Sequence, residues 1–138
     1  STLSQVIHSW VYARSDRPQS WANFRKALMS DFEDVQGGTT PEGIHLGAMA
    51  GTVDIIQRCY TGLEIRDDRL WLNPRLPDDI KSLTLHIRYR SHWIKLTINH
   101  QKLRLDFDKG WANPVEIIVC GQKKLFETND SAEFELNK

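Results

Sequence analysis

The hydrophobic pattern of this chain changes period once, near residue 63, and that change limits the folds open to it. Before that point, apolar residues recur three or four positions apart, as they do on one face of a helix. Beyond it, they alternate with polar residues, as in strands buried on one side. We therefore expect an α+β chain with a helical segment at residues 1–62 and a β domain at residues 63–138.

Three helices are predicted in the first part. The first covers about residues 3–14 and carries a wide apolar stripe formed by Leu3, Val6, Ile7, Trp10, Val11 and Ala13. The second follows the N-cap Asp16 and runs from about Pro18 to Val35. It is expected to bury its large apolar residues, which are Trp21, Phe24, Leu28, Met29 and Phe32.

The third predicted helix has an unusual composition. It starts at the cap Thr40 and runs from about Pro41 to Tyr60. Asp54 is its only residue between positions 44 and 56 that is charged at neutral pH. Its glycines line one face at positions 43, 47 and 51, although an interior glycine costs about 1 kcal/mol relative to alanine. Such a helix needs other backbones close to several sides, so either parts outside these three helices or the β domain must cover it.

About seven strands are predicted in the second part. The alternating segments are Leu70–Leu72, Leu83–Arg90, Ile94–Asn99, Leu103–Phe107, Val115–Val119, Lys123–Glu127 and Glu133–Leu136. Short polar turns after Tyr89 and Ile98 indicate antiparallel hairpins, and Asn73–Asp78 is an irregular linker. The number of strands is enough for a two-layer antiparallel β-sandwich.

Charge and cysteine content exclude several classes of partner. Eighteen basic residues balance eighteen acidic ones, which argues against a nucleic-acid binder. No apolar run approaches the roughly 20 residues that span a bilayer, and we expect neither a signal peptide nor a membrane partner. Cys59 and Cys120 are isolated and lack metal-ligand spacing, which predicts a reducing, cytoplasmic location and no metal site.

The glycine-rich segment 37–52 carries the main candidate site. It leads into the third helix, whose first turn has N–H groups and a partial positive charge suited to phosphate or sulfate. The candidate phosphate-binding residues are Gly38, Thr39, Thr40 and His45, with His45 one turn into the helix. The alternative is an ordinary capped helix, in which Thr40 bonds its own backbone and His45 is only packed.

Other polar and aromatic residues have a structural explanation that we prefer. His8 is expected in the core or a groove of the helices, and His86, His92 and His100 on the surface. The turn with Arg14, Asp16 and Arg17 is expected to be solvated, and a role at a substrate mouth is the alternative. Asp67-Asp68 and Asp78-Asp79 are expected at turns, where capping explains them better than acid/base catalysis. A sugar-stacking face formed by Trp71, Trp93 and Trp111 is an alternative to packing between sheets, which we expect for most of them.

Residues 39–52, Thr-Thr-Pro-Glu-Gly-Ile-His-Leu-Gly-Ala-Met-Ala-Gly-Thr, resemble glycoside hydrolase family 65, which includes maltose, trehalose and kojibiose phosphorylases. The similarity extends to residues 9–14 upstream and to residues 58–68 and 70–77 downstream, and it covers most of the chain up to about residue 108. The resemblance implies the last helices of an (α/α)₆ barrel followed by a C-terminal β-sandwich.

The resemblance also implies a reaction. Family phosphorylases invert the anomeric centre: a glutamic acid protonates the glycosidic oxygen while phosphate attacks from the opposite face. Gly38, Thr39, Thr40 and His45 would lie on the phosphate side. The acid belongs to barrel sequence upstream, and Glu33, Glu42 and Glu64 do not match its context, so no catalytic residue is assigned here.

These implications define the expected partners. The protein partners are the remainder of the barrel, in the same or a separate chain, and a second copy of the chain in a homo-oligomer. The substrates are an α-glucose disaccharide and inorganic phosphate as co-substrate. No other cofactor is expected. Whether phosphate or water is the nucleophile stays open. The alternative function is a stand-alone β-sandwich module that binds an anion or a glycan, or is only structural, without enzymatic activity.

Overall fold

A computed structural model describes residues 2–30, 32–33 and 45–136 of the 138-residue chain. The chain divides into two compact units, residues 1–60 and residues 61–138. We call them the helical unit and the β unit. The structure has the expected α+β composition, with helices first and strands after them.

The described part of the helical unit contains three α-helices. They are α1 (Thr2–Tyr12), α2 (Arg17–Met29) and α3 (Leu46–Asp54), and α3 continues as a π-helical segment (Ile55–Tyr60). The predicted cap of α2 is confirmed, because the backbone N–H of Gln19 donates to Asp16 Oδ1 over 2.9 Å. The π-helical segment was not predicted, since its apolar spacing resembles that of an α-helix.

The prediction for the second helix is wrong in two respects. Helix α2 ends at Met29 instead of Val35, and its buried residues are Ser20, Asn23, Phe24 and Ala27. Leu28, Met29 and Phe32 are exposed, and Trp21 is half-buried. Two of the four inward residues, Ser20 and Ala27, are small, and Ser20 bonds directly to Ser9 of α1.

Paired serines form a close polar contact between α1 and α2. Ser9 Oγ donates to the Ser20 carbonyl over 2.8 Å, and Ser20 Oγ donates to the Ser9 carbonyl over 2.7 Å. Tyr60, in the π-helical segment, brings its hydroxyl to 3.3 Å from Ser20 Oγ. All three side chains are fully buried, so these bonds are shielded from water and fix the helices against one another.

The glycine face of α3 packs on α1, as its composition predicted. A Cβ at Gly51 would overlap the Val6 side chain, and one at Gly47 would lie 3.1 Å from Leu3 Cδ2. The position of Gly43 is outside the described residues. Close approach to α1 therefore explains Gly51, whereas Gly47 meets only the end of the exposed Leu3 side chain.

The described residues of the β unit form eight strands in two sheets. The strands are β1 (Glu64–Arg66), β2 (Arg69–Leu72), β3 (Ser82–Tyr89), β4 (His92–Asn99), β5 (Lys102–Phe107), β6 (Val115–Val119), β7 (Gln122–Phe126) and β8 (Ser131–Glu135). One sheet has the order β1-β2-β6-β7, and the other β3-β4-β5-β8. All neighbours are antiparallel except β2 and β6, which are parallel.

The additional strand β1 arises from a tight turn at Asp67-Asp68. Both residues have positive φ, 51° and 59°, which is the backbone of a two-residue hairpin. The expected turn role of this acidic pair is therefore confirmed. The pairing of Ile65 with Leu70 sets the register of β1 on β2.

The core of the β unit lies between its two sheets. The rings of Phe107 and Phe126, from opposite sheets, stack with centroids 4.6 Å apart. The irregular linker after β2 is confirmed, and it buries Pro74, Leu76 and Pro77. Gly62 must be glycine, because its φ is +64° and a Cβ there would overlap the Asn73 backbone.

Candidate functional site

The predicted phosphate-binding segment is only partly described by the structure. Gly38, Thr39 and Thr40 lie outside the described residues, as do the predicted cap and first turn at positions 40–42. His45 is the one predicted site residue whose position is described. The phosphate-binding role of these four residues therefore stays a prediction.

His45 lies at the N-cap of α3, so its predicted position one turn inside the helix is wrong. Its φ and ψ of −81° and 81° are not helical. Its carbonyl accepts from the N–H groups of Ala48 and Met49 at 2.9 and 3.1 Å. His45 is half-buried, and its side chain makes no capping bond. The imidazole thus lies beside the positive end of the nine-residue α3 dipole.

One face of α3 is open and apolar. Leu46 and Val53 are 71% and 62% exposed, and Ala50 between them is also exposed. Spacings of four and three residues place these side chains in one stripe. The opposite side buries Ala48, Thr52 and Ile55. The apolar stripe predicted on the first helix is also mainly exposed, at Leu3, Ile7, Trp10 and Val11.

Cys59 lies beside the α2 start but is poorly suited to be a nucleophile. Burial raises the pKa of its thiol, and the charge of Asp54 raises this pKa further. Arg17 Nη1 donates to the Cys59 carbonyl over 3.2 Å, and its guanidinium lies over the Tyr60 ring. Arg17 is therefore half-buried and structural, which corrects the prediction of a solvated turn at this residue.

The histidines are placed differently from the prediction in two cases. His8 is exposed on α1 and His92 is 2% exposed, whereas we expected His8 inside and His92 on the surface. His92 points inward because it shares the parity of Ile94, Leu96 and Ile98, the buried face of β4. His86 is exposed as predicted, and His100 is half-buried.

The tryptophans of the β unit do not pack between the sheets. Trp111 is fully exposed and Trp93 is half-exposed, which contradicts the preferred explanation for both. Trp71 is half-buried under the Arg66 guanidinium, 3.8 Å from its ring centroid, and its Nε1–H donates to the Arg66 carbonyl. The exposure of Trp111 does not follow from its sequence, because an irregular loop has no periodicity that shows which way its side chains point.

The described residues contain neither a metal-binding cluster nor a membrane-spanning helix. No group of three or more histidine, cysteine or acidic side chains there has the arrangement to hold a metal ion. None of the helices described has the length and apolar character needed to cross a membrane.

Comparison with known proteins finds a matching family model for each of the two units. The family model described as "Glycosyl hydrolase family 65 central catalytic domain" matches residues 1–54. The one described as "Glycosyl hydrolase family 65, C-terminal domain" matches residues 63–125. The chain belongs to glycosyl hydrolase family 65. Its helical unit and β unit thus match two successive domains of that family.

Individual relatives agree with this family 65 assignment. An uncharacterized glycosyl hydrolase of Mycobacterium tuberculosis is 50% identical over 88% of the chain. The trehalose 6-phosphate phosphorylase of Lactococcus lactis is 35% identical over 57% of the chain. The 1,2-alpha-glucosylglycerol phosphorylase of Bacillus selenitireducens is 26% identical over 93% of the chain. The chain spans 9%, 10% and 18% of the length of these relatives.

A solved structure from the human microbiome, provisionally described as a kojibiose phosphorylase, has the same fold. It superposes with a TM-score of 0.83 at 24% identity, over 98% of this chain and 17% of its own length. The family 65 chain is therefore similar in sequence and fold to a small part of much longer proteins.

Proposed function

We propose that this chain forms the C-terminal part of an enzyme that cleaves α-linked glucose disaccharides with inversion, and that it contributes the phosphate side of the active site. The observation that carries this proposal is the match to the family 65 central catalytic domain over residues 1–54, the segment that includes the α3 start. The two relatives described above that have a named reaction are phosphorylases, which favours phosphate over water as the nucleophile.

The open face of α3 supports a role within a larger barrel. Leu46, Ala50 and Val53 expose a continuous apolar stripe that further barrel helices would cover. A self-sufficient binding module would be expected to bury such a helix within its own chain. The proposed partner is therefore the remainder of the barrel, in the same or a separate chain.

The proposed division of labour follows from the chemistry of inverting phosphorolysis. A glutamic acid from the remainder of the barrel protonates the glycosidic oxygen, and phosphate attacks the anomeric carbon from the opposite face. The α3 N-terminus, His45 and the preceding Gly38, Thr39 and Thr40 would bind and orient that phosphate. We place the protein in the cytoplasm, in keeping with the free thiols of Cys59 and Cys120.

Reconstitution tests this proposal. The 138-residue chain is mixed with the part of the Mycobacterium tuberculosis relative that precedes its matching segment. Maltose, trehalose and kojibiose are then offered with and without phosphate. We expect glucose 1-phosphate only when both polypeptides and phosphate are present. Release of glucose without phosphate would instead assign hydrolysis, and cleavage by the 138-residue chain alone would contradict the proposal.

A further inference from the structure

A concave surface lies in the β unit, within the part of the chain that the proposed phosphate role does not use. It is lined by Arg90 and Ser91 at the β3–β4 turn and by residues 111–115 before and at the start of β6. Its cavity volume is about 590 Å³, within the range of small-molecule sites. We call it the Trp111 groove.

Trp111 gives this groove an exposed aromatic surface. Its side chain is fully exposed, whereas tryptophan usually buries most of its large apolar area in a folded protein. The exposed indole presents a flat apolar face that can stack on the apolar face of a ligand.

The loop that carries Trp111 is anchored by hydrogen bonds both before and after this residue in sequence. On one side, the Asp108 N–H donates to the Trp93 carbonyl over 3.0 Å, and the Asn129 N–H donates to the Asp108 carbonyl over 3.1 Å. On the other side, the buried His92 donates from Nε2 to the Asn113 carbonyl over 2.8 Å. These anchors reduce the entropy that the loop would lose on binding a ligand.

The polar groups of the groove suit a neutral ligand. Arg90 forms an ion pair with Asp68, so much of its charge is balanced, while its guanidinium retains further N–H donors. Ser91 adds a hydroxyl, and Asn113 adds a side-chain amide. Hydroxyl and amide groups both donate and accept, which is the combination that a ring of alternating hydroxyls requires.

We propose that the Trp111 groove is a second carbohydrate site, which binds a neutral hexose or a short oligosaccharide by stacking on Trp111 and by hydrogen bonds to Arg90, Ser91 and Asn113. All of its lining residues belong to the β unit. A sugar presents one apolar C–H face and a polar rim, and these two features match the indole and the surrounding donors. The site needs no covalent step.

The test is titration of the 138-residue chain with glucose, maltose and maltotriose by calorimetry. We expect saturable binding at millimolar concentrations, and at least a tenfold rise in Kd for Trp111→Ala. Trp93→Ala is the matched control, because Trp93 is also an exposed tryptophan of the β unit but does not line the groove; its Kd should change less than twofold. Circular dichroism spectra of both variants should match that of the parent chain, since both rings are exposed.

Three results would overturn the proposal. One is the absence of saturable binding to all three sugars. Another is an equal loss of binding in the Trp111→Ala and Trp93→Ala variants. The third is a lower molar mass of Trp111→Ala in light scattering, which would make the groove a contact between copies of the chain. Failure here leaves the phosphate-dependent reconstitution assay unaffected, because that assay reports on the α3 start.

Discussion

Gly51 of α3 lies so close to Val6 of α1 that no larger residue fits between the two helices without a shift. Val6 is β-branched and on a helix, so its side chain has little rotamer freedom with which to move aside. This contact explains why a poor helix former stands in the interior of α3. It also sets the distance between α1 and α3, the helix whose N-cap is His45.

Gly51→Ala is expected to destabilise the helical unit by about 1–2 kcal/mol, because overpacking outweighs the gain of about 1 kcal/mol in helix propensity. Urea unfolding followed by circular dichroism at 222 nm measures this change. Gly47→Ala is the matched control: its new methyl group would meet Leu3, which is exposed and able to move, so we expect no loss of stability. Equal destabilisation by both substitutions would contradict the contact.

Charges on the open face of α3 should prevent assembly with the rest of the barrel. In the reconstitution assay, we expect the double variant Leu46→Asp and Val53→Asp to reduce activity at least tenfold. Assembly with the barrel would bury these two exposed positions, and the new carboxylates would have no partners there. The control is Ile65→Asp with Leu125→Asp, a pair of exposed apolar residues in the β unit. An unchanged rate in the α3 variant would show that this face stays in solvent.

The carboxyl of Glu133 should titrate below its usual range. Lys102 Nζ lies 2.6 Å from its Oε1 and lowers the pKa of Glu133 by hydrogen bonding and charge. A lowered folded-state pKa means that this pair stabilises the β unit above the ordinary carboxyl range, and that the contribution is lost as the pH falls through the folded-state pKa. The effect should be small, because the pair is exposed.

Carboxyl chemical shifts in an NMR pH titration measure this pKa directly. Lys102→Met should return the pKa of Glu133 toward its ordinary value, whereas Lys102→Arg should keep it low. The Asp106 carboxyl is an internal reference, because Arg104 lowers its pKa. If Lys102→Met leaves the pKa of Glu133 unchanged, the ion pair is not its cause.

Asp54→Asn should make the Cys59 thiol more reactive. Burial is the main reason that the pKa of Cys59 is raised, and the Asp54 carboxylate adds to it. Removing that charge lowers the pKa and increases the thiolate fraction, so reaction with a disulfide reagent at pH 8 should become a few times faster. Cys120 is the reference, since burial alone raises its pKa. An equal acceleration at both thiols would point to general loosening.

Much of the β unit could be predicted because its alternation is regular. The buried residues Ile94, Leu96 and Ile98 follow the period of two. His92 has the same parity, so the alternation also places it inside. The parallel pairing of β2 with β6 could not be predicted, because these strands are distant in sequence and neither carries a signal of its partner. The fully exposed Trp111 lies in a loop without periodicity.

The helical unit was predicted less well, because several of its large apolar residues are exposed instead of packed among the three helices. Leu28, Met29 and Phe32 look like core residues in sequence, yet they are exposed. The π-helical segment has no sequence signal distinct from an α-helix. His45 was found through the motif around it and through the physics of helix ends, although its position relative to the helix start was wrong.

The phosphate dependence of the reconstituted enzyme tests the central claim most directly. The claim is that the α3 start binds the attacking phosphate. His45→Ala should therefore raise the KM for phosphate at least tenfold, which is the usual scale for loss of a hydrogen bond to a charged group. The change in the KM for the sugar should be smaller. His86→Ala, at an exposed position on β3, should leave both constants unchanged. An unaltered KM for phosphate in the His45→Ala enzyme would contradict the account.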